Sequence, residues 1–531
     1  MRISLLLASL CLAGASSGAQ TPAEREADLA FTGGRVHTMG TPAIVSALAV
    51  RRGKIAFTGS DEEVRSWIGP RTTVVPLKGR AVLPGFIDSH VHPIAGGIEL
   101  GECPLGAAGT PEELLELVRI CGRKKAEGWV RGSGWDLTLF AEGNPSKSLL
   151  DSLLPGRPVY LEASDGHSAW ANSKALSLAG LTRTASDPPN GRVEREASGE
   201  PSGVLREDAM ELVSRLLPEY TLAESTAGLR RALDMAARLG ITTLHEAAAD
   251  ESMLAAYADL DRRGELSARI NASFELRPSS GVLGARALPG LRRRYQGKLL
   301  RLTGAKVFVD GVLEARTAAL LEPYADRGGL GTAGWDSREL ADTAAALDRE
   351  GFQLHAHAIG DRAVRMSLDA VAEARKRNGP GGPPHHLAHL ELIDPADLPR
   401  FKGLRVMADF QPFWANRDPY ITSLTEPGLG SERSGRLYPL GDAFRAGAPL
   451  ACGSDWSVSS MNPWEAIQVG LNRRGVEEGA GPAWLPAQAL DLDTLLRCYT
   501  TGGAAANLQE TLTGRLEPGF AADLIVLDKD P

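Results

Sequence analysis

The sequence predicts an α/β protein: a (β/α)8 TIM-like barrel with an inserted subdomain, beside a small β-sandwich domain built from both chain ends. Three observations predict it. A unit of capped helix, glycine stop and short apolar strand recurs along the middle of the chain. Histidine, lysine and aspartate residues fall at the ends of those strands. Both chain ends share a different texture, of short alternating runs broken by glycine.

The 531 residues suffice for two or three domains, and the composition, 43% hydrophobic and 23% charged, is that of an ordinary globular protein. The net charge of −8 is dispersed, and no run rich in Lys or Arg appears. A nucleic-acid partner is therefore not expected. Residues 1–19 read as a signal peptide. Arg2 precedes an apolar stretch, and Ser17 and Ala19 fit a small-x-small cleavage site before Gln20. The apolar stretch is too short to span a bilayer, where about 20 residues are needed, so no stable membrane insertion is expected. Export to the periplasm or the outside follows. In that compartment Cys103 and Cys121, either side of a predicted helix, are candidates for a disulfide, whereas Cys452 reads as a core residue. No Cys-x-x-Cys spacing marks a thiolate metal site.

Residues 27–82 alternate apolar and polar side chains in runs such as "SALAVRRGKIAFTG", and 506–531 includes the similar "TLTGRLEPGFAADLIVLD". These are the two parts of the β-sandwich domain, with His37 a surface strand residue. Residues 83–505 form the barrel. Within them "TLAESTAGLRRALDMAARLGITTLHEA" opens on a capping box of Thr221 and Glu224, stops at Gly240 and continues as a β-branched strand. "DSRELADTAAALDREGFQLHAHAIGD" repeats the plan with Asp336 and Gly351, and "LGDAFRAGAPLACGSDWSV" with Gly447. A helix–strand repeat of this kind builds a parallel sheet, and a closed barrel is its economical form over such a length. Residues from about 100 to 220 depart from the repeat and read as the insertion, with a helix capped at Thr110.

Only 10 histidines occur, yet two His-x-His pairs are present: His90 with His92, and His355 with His357. In a strand, residues i and i+2 share a face, so each pair aims two imidazoles the same way. Lys306, His389 and Asp455 also fall at strand ends. Imidazole and carboxylate are ligands for Zn²⁺ and related ions, and strand ends at the C-terminal mouth are where barrel chemistry sits. His245 ends another predicted strand and is expected to face the same mouth.

The stretches "LPGFIDSHVHP", "GWVRGSGWD", "DGHSAWANSKAL", "KVFVDGVLEARTAALLEPY", "HAIGDRAV", "GSDWSV" and "TGRLEPGFAADLIVLD" resemble the amidohydrolase superfamily of metal-dependent hydrolases. The match is to its third large branch, which includes N-substituted formamide deformylase-like proteins. The resemblance spans the mature chain and implies the barrel, the sandwich and a set of roles. His90 and His92 would bind one divalent ion. Lys306, carbamylated, would bridge to a second held by His357 and His389, and Asp455 would bind metal and move the proton as the catalytic residue. The ion is expected to be Zn²⁺, one or two per chain. His167, Trp135, Arg316 and Trp456 match branch positions that shape a substrate pocket. One departure stands out: the residue before His389 is Ala388 where the branch carries Glu, and His385 and His386 stand nearby. The implied activity is hydrolysis of a C–N bond in an amide, N-acyl group or cyclic imide of a small molecule. Ester or lactone hydrolysis on the same site is the alternative, and a non-catalytic scaffold a further one. The sequence leaves the oligomeric state open, a homo-oligomer included.

Overall fold

Eight apolar segments separated by capped helices form one parallel sheet in the computed structural model, which describes residues 25–124, 127–477 and 481–531. The expected signal peptide lies outside the described residues. The strands are β1 (Phe86–Val91), β2 (Ile241–Ala249), β3 (Arg269–Glu275) and β4 (Leu300–Phe308), then β5 (Gln353–Ala358), β6 (His386–His389), β7 (Met407–Phe410) and β8 (Leu450–Cys452). Each pairs in parallel with the next in the chain. β1, β5 and β6 are buried along their whole length, as strands covered on both faces must be. The punctuation of the helices follows the expected chemistry. Thr221 and Glu224 make the reciprocal capping box of Leu222–Arg238. Gly240, at φ 77°, takes the left-handed turn into β2 that a side chain would resist.

The seam between β8 and β1 is closed by the segment just after β8. Asp455 N donates to His90 O at 2.7 Å, and His92 N donates to Trp456 O at 2.8 Å. Asp88 Oδ1 accepts from Ser454 N at 2.9 Å, while Ser454 Oγ donates to Asp88 Oδ2 at 2.6 Å. Gly453 makes the approach sterically feasible: a Cβ there would lie 2.6 Å from His90 N. The chain thus draws Asp455 against the two histidines of β1.

The insertion emerges between β1 and β2. Its five-stranded sheet runs in the order Gly191–Arg195, Pro201–Glu207, Ser168–Ala171, Val159–Ala163, Val130–Trp135. Its core includes Leu114, Trp135, Leu161, Trp170 and Val204. Cys103 and Cys121 are joined in a disulfide with Cα atoms 5.7 Å apart, Cys121 lying within the helix Pro111–Lys124. Cys452 is the core residue expected. It is buried, but it also pairs with Cys498, the Cα atoms being 5.2 Å apart, because the turn Cys498–Gly502 packs against β8.

Two compact units divide the chain. One comprises the described residues up to Leu83 with Leu516–Ala522 and Val526–Pro531; the other comprises Pro84–Arg515 with Asp523–Ile525. In the first, one four-stranded sheet orders Lys54–Gly59, Ala47–Arg51, Leu29–Thr32 and Thr73–Pro76. A second sheet orders Leu524–Leu527, Ala81–Pro84, Arg35–His37 and Ile44–Val45, so strands from both chain ends meet. The barrel unit continues past the expected limit at 505, to Arg515. The reason is polar: Asn507 Oδ1 lies 2.8 Å from His245 Nδ1, and Gln509 Nε2 donates to Asn271 Oδ1 at 3.0 Å.

The Cys103–Cys121 bridge closes a short loop, and such closures stabilise by about 3 kcal/mol. Replacing both cysteines by alanine should lower the unfolding free energy of the insertion-bearing unit by about that amount in urea titration. An unshifted transition would show that the bridge constrains nothing.

Candidate metal centre and active-site cavity

The left-handed backbone at two strand ends sets the geometry. Asp455 (φ 52°) and His389 (φ 80°) both leave the extended conformation, a departure that stores strain and tends to occur at functional sites. His90 Nε2 lies 3.4 Å from Asp455 Oδ1 and 3.2 Å from Lys306 Nζ. His92 Nε2 lies 3.1 Å from the same carboxylate oxygen, and His389 Nδ1 is 3.9 Å from Asp455 Oδ2. The His357 and His389 rings sit 4.4 Å apart. All six residues line one cavity of about 430 Å³.

Electrostatics in the cluster favour a cation. Burial holds His90 well below its ordinary range, helped by the Lys306 ammonium, and burial takes His389 to about 3. Both imidazoles are therefore neutral, the form that binds metal. Burial lowers Lys306 to about 8, against the pull of Asp455, which brings its free amine within reach of neutral pH. Burial alone would raise Asp455, but the His92 hydrogen bond and the nearby positive charges hold it below the usual carboxylate range. Its Oδ1 is buried and faces His92 Nε2 at 3.1 Å and His90 Nε2 at 3.4 Å. Ligand atoms of His90, His389 and Asp455 all lie within 4.8 Å of one another. The neutral imidazoles of His90 and His389 with the ionised Asp455 carboxylate are a donor set that fits a divalent ion.

The model of the amidohydrolase family matches residues 73–531. This chain belongs to that family. It is similar to LONG AFTER FAR-RED 3 of Arabidopsis thaliana, 32% identical over 95% of this chain and 88% of that protein. It is also similar to N-substituted formamide deformylase of Arthrobacter pascens, 27% identical over 91% of this chain and 90% of that enzyme. Among solved structures it resembles an uncharacterized metal-dependent hydrolase from Pyrococcus horikoshii, with a TM-score of 0.75 and 28% identity, covering 95% of this chain and 98% of that one. Membership agrees with the near-closed parallel barrel already described.

Of the residues expected to shape the substrate pocket, His167 lines the cavity, its Nδ1 2.7 Å from Glu207 Oε2. The other three do not. Trp135 is wholly buried in the insertion core, where its indole N–H donates to Leu161 O. Arg316 turns to Asp326, 2.6 Å away. Trp456 packs its ring over Gly96, leaving its neighbours Asp455 and Ser457 to face the cavity. Each aromatic or guanidinium found a closer partner than a ligand.

Depth also separates the histidines. Lys306 is in register with His355 and His355 with His386, whereas His357 pairs one step higher with Ala388. His355 and His245 are wholly buried and, unlike Lys306, do not line the cavity. A string of hydrogen bonds runs from His90 Nδ1 to His355 Nε2 (2.8 Å), from His355 Nδ1 to Ser273 Oγ (3.1 Å), and on to His245 Nε2 (2.8 Å). His355 thereby turns the Nε2 of His90 toward Asp455. The Glu missing at Ala388 is compensated from the next strand end, where Gln411 Oε1 lies 3.0 Å from His389 Nδ1. His385 lies apart, its Nδ1 accepting from Leu354 N at 2.9 Å. Asp310 does not pair with Lys306: it accepts from Ala319, Ile359 and Gly360 N–H groups, tying the loops after β4 and β5 together. Sequence reasoning missed Asp88, His355 and Gln411 as positioning groups; an Asp two residues before a His-x-His pair was the available signal for the first.

Partners that orient a metal-binding imidazole are commonly worth 10–100-fold in affinity. His355→Phe should therefore weaken zinc binding by about 10- to 100-fold, read by competition with a chromophoric chelator. Unchanged affinity would contradict the orienting role.

Proposed function

We propose that this protein is an exported metal-dependent hydrolase that cleaves a C–N bond, in an amide, N-acyl group or cyclic imide, of a small molecule. The observation that carries the reading is the convergence of His90, His92, Lys306, His357, His389 and Asp455 on one cavity. The chemistry a divalent ion supplies when bound there is Lewis acidity, lowering the pKa of a water to about 7 and polarising the scissile carbonyl. His90, His92, His357, His389 and Asp455 are the residues that would hold it, with Lys306, as its carbamate, a further ligand if two ions bind. Zinc is the ion the nitrogen-rich set favours.

The remaining work falls to the chain. Asp455, ionised and within reach of His90 and His92, accepts a proton from the attacking water and returns it to the leaving nitrogen. That return is what an amine leaving group needs most, which favours C–N over ester cleavage. The name of the Arthrobacter relative, a formamide deformylase, supports the same bond type. His90, Lys306, His357, His389 and Asp455 are buried, so charges among them are screened less than in bulk water. Export is supported by the two cysteine pairs, since disulfides persist in oxidising compartments.

A panel of formamides, N-acyl amines and imides with matched esters, run with and without chelator, tests the reading. Amide turnover that chelator abolishes and zinc restores is the expected result. Faster turnover of the esters would move the assignment to an esterase or lactonase. Asp455→Asn should lower kcat by at least about two orders of magnitude, since general acid–base help is worth about 10²–10⁴-fold. A variant that keeps its metal and turns over near the parent rate would exclude the shuttle.

A further inference from the structure

Besides the groups assigned to the metal, six carboxylates line the cavity: Glu99, Glu162, Asp165, Glu314, Glu391 and Asp418. Three of them, Glu314, Glu391 and Asp418, have no basic side chain among the groups that act on them most strongly. Burial raises Glu314 and pushes Glu391 well above the usual carboxylate range, neighbouring carboxylates add to the rise, and no basic side chain offsets it. Glu314 accepts a hydrogen bond from Thr425 Oγ1 at 2.7 Å. Glu391 is only 3% exposed. It shares a hydrogen bond with the Tyr438 hydroxyl, while its Oε2 has no hydrogen-bond partner. Arg316, two residues from Glu314, is committed elsewhere, to Asp326 and to the main-chain oxygens of Leu313 and Glu314.

Phe413, Trp414, Tyr420 and Tyr438 all line the same cavity, and Trp414 lies flat against the His389 ring at 5.5 Å. A buried carboxylate without a partner is unfavourable, and a desolvated cation is attracted to ring faces. Carboxylates and aromatic rings lining one cavity complement an organic cation. A hard metal ion is a poorer fit, because none of the metal-competent clusters among the described residues includes Glu314 or Glu391.

We propose that the substrate carries an organic cation, an ammonium or guanidinium group, received by Glu314, Glu391 and the surrounding aromatic rings. This rests on the hydrolase reading of the cavity and narrows it: the C–N bond to be cleaved belongs to a molecule with a second, positively charged end. Glu391 follows His389 by two residues, and Glu314 stands on the loop that follows the strand of Lys306. The same two segments therefore supply the metal-site residues and the cation-binding carboxylates.

The test is a binding measurement that needs no turnover. Phenylbutyltrimethylammonium, which cannot ligate a metal, is compared by calorimetry with its neutral analogue in which carbon replaces the nitrogen. The full chain is used with zinc added. The cation should bind at least about tenfold more tightly, with the margin shrinking as salt is raised. Glu391→Gln and Glu314→Gln should each reduce that margin. Equal binding of the two probes, or a margin untouched by both substitutions, would overturn the proposal. A clear margin in a protein that hydrolyses no amide would instead leave the cation site standing and remove the hydrolase reading.

Discussion

The arrangement depends on one clamp across the barrel seam. Asp88, buried in β1, accepts from the main chain and hydroxyl of Ser454, and Gly453 lets the segment after β8 lie against the backbone of His90. Burial pushes the Asp88 carboxyl up to about 7 despite these donors. The group is thus held where it is costly, a position tolerated because its partners over-determine it. Without the clamp the first and last strands would have no reason to place His90, His92 and Asp455 within a few ångströms. Every later feature of the site assumes that contact.

Below the clamp, the interior is built in levels. Helices outside and apolar residues on the strands supply burial, while the axis holds His355, Ser273 and His245 in a hydrogen-bonded string ending on Asn507. Buried polar groups of this kind are tolerable only when they satisfy one another. They also fix the ring of His90 from beneath, while Gln411 does the same for His389 from the side. The cavity above combines the neutral imidazoles of His90 and His389 with His92 and His167, which against their burial neighbouring carboxylates hold up at about 9, a lysine near its neutral form and an ionised aspartate. That is a site prepared for a positive ion at one end and, by the charge of its walls, for a positive group on the substrate.

Much of this was legible in the sequence, for physical reasons. The helix–glycine–strand repeat announced the barrel because capping and left-handed stops are local chemistry. His90, His92, Lys306, His357, His389 and Asp455 stood out because each ends an apolar run, and strand ends at one face of a barrel converge. Period-two alternation put His355 and His357 on one face but carries no information about depth, and only the packed barrel shows that His357 lines the cavity while His355 does not. Trp135, Arg316 and Trp456 looked like pocket residues by type, yet Leu161, Asp326 and Gly96 are partners that no local pattern could disclose. The extension of the barrel unit to Arg515 likewise depends on long-range bonds from Asn507 and Gln509.

The central claim is that residues from separate strand ends hold a divalent ion at the floor of the cavity. Anomalous diffraction at the zinc edge, from crystals grown with zinc, tests it most directly. The account predicts a peak bounded by His90, His92, His389 and Asp455, with nitrogen and oxygen ligands at about 2.0–2.2 Å. Zinc bound only elsewhere, with these side chains unmoved and the floor of the cavity free of any peak, would contradict it.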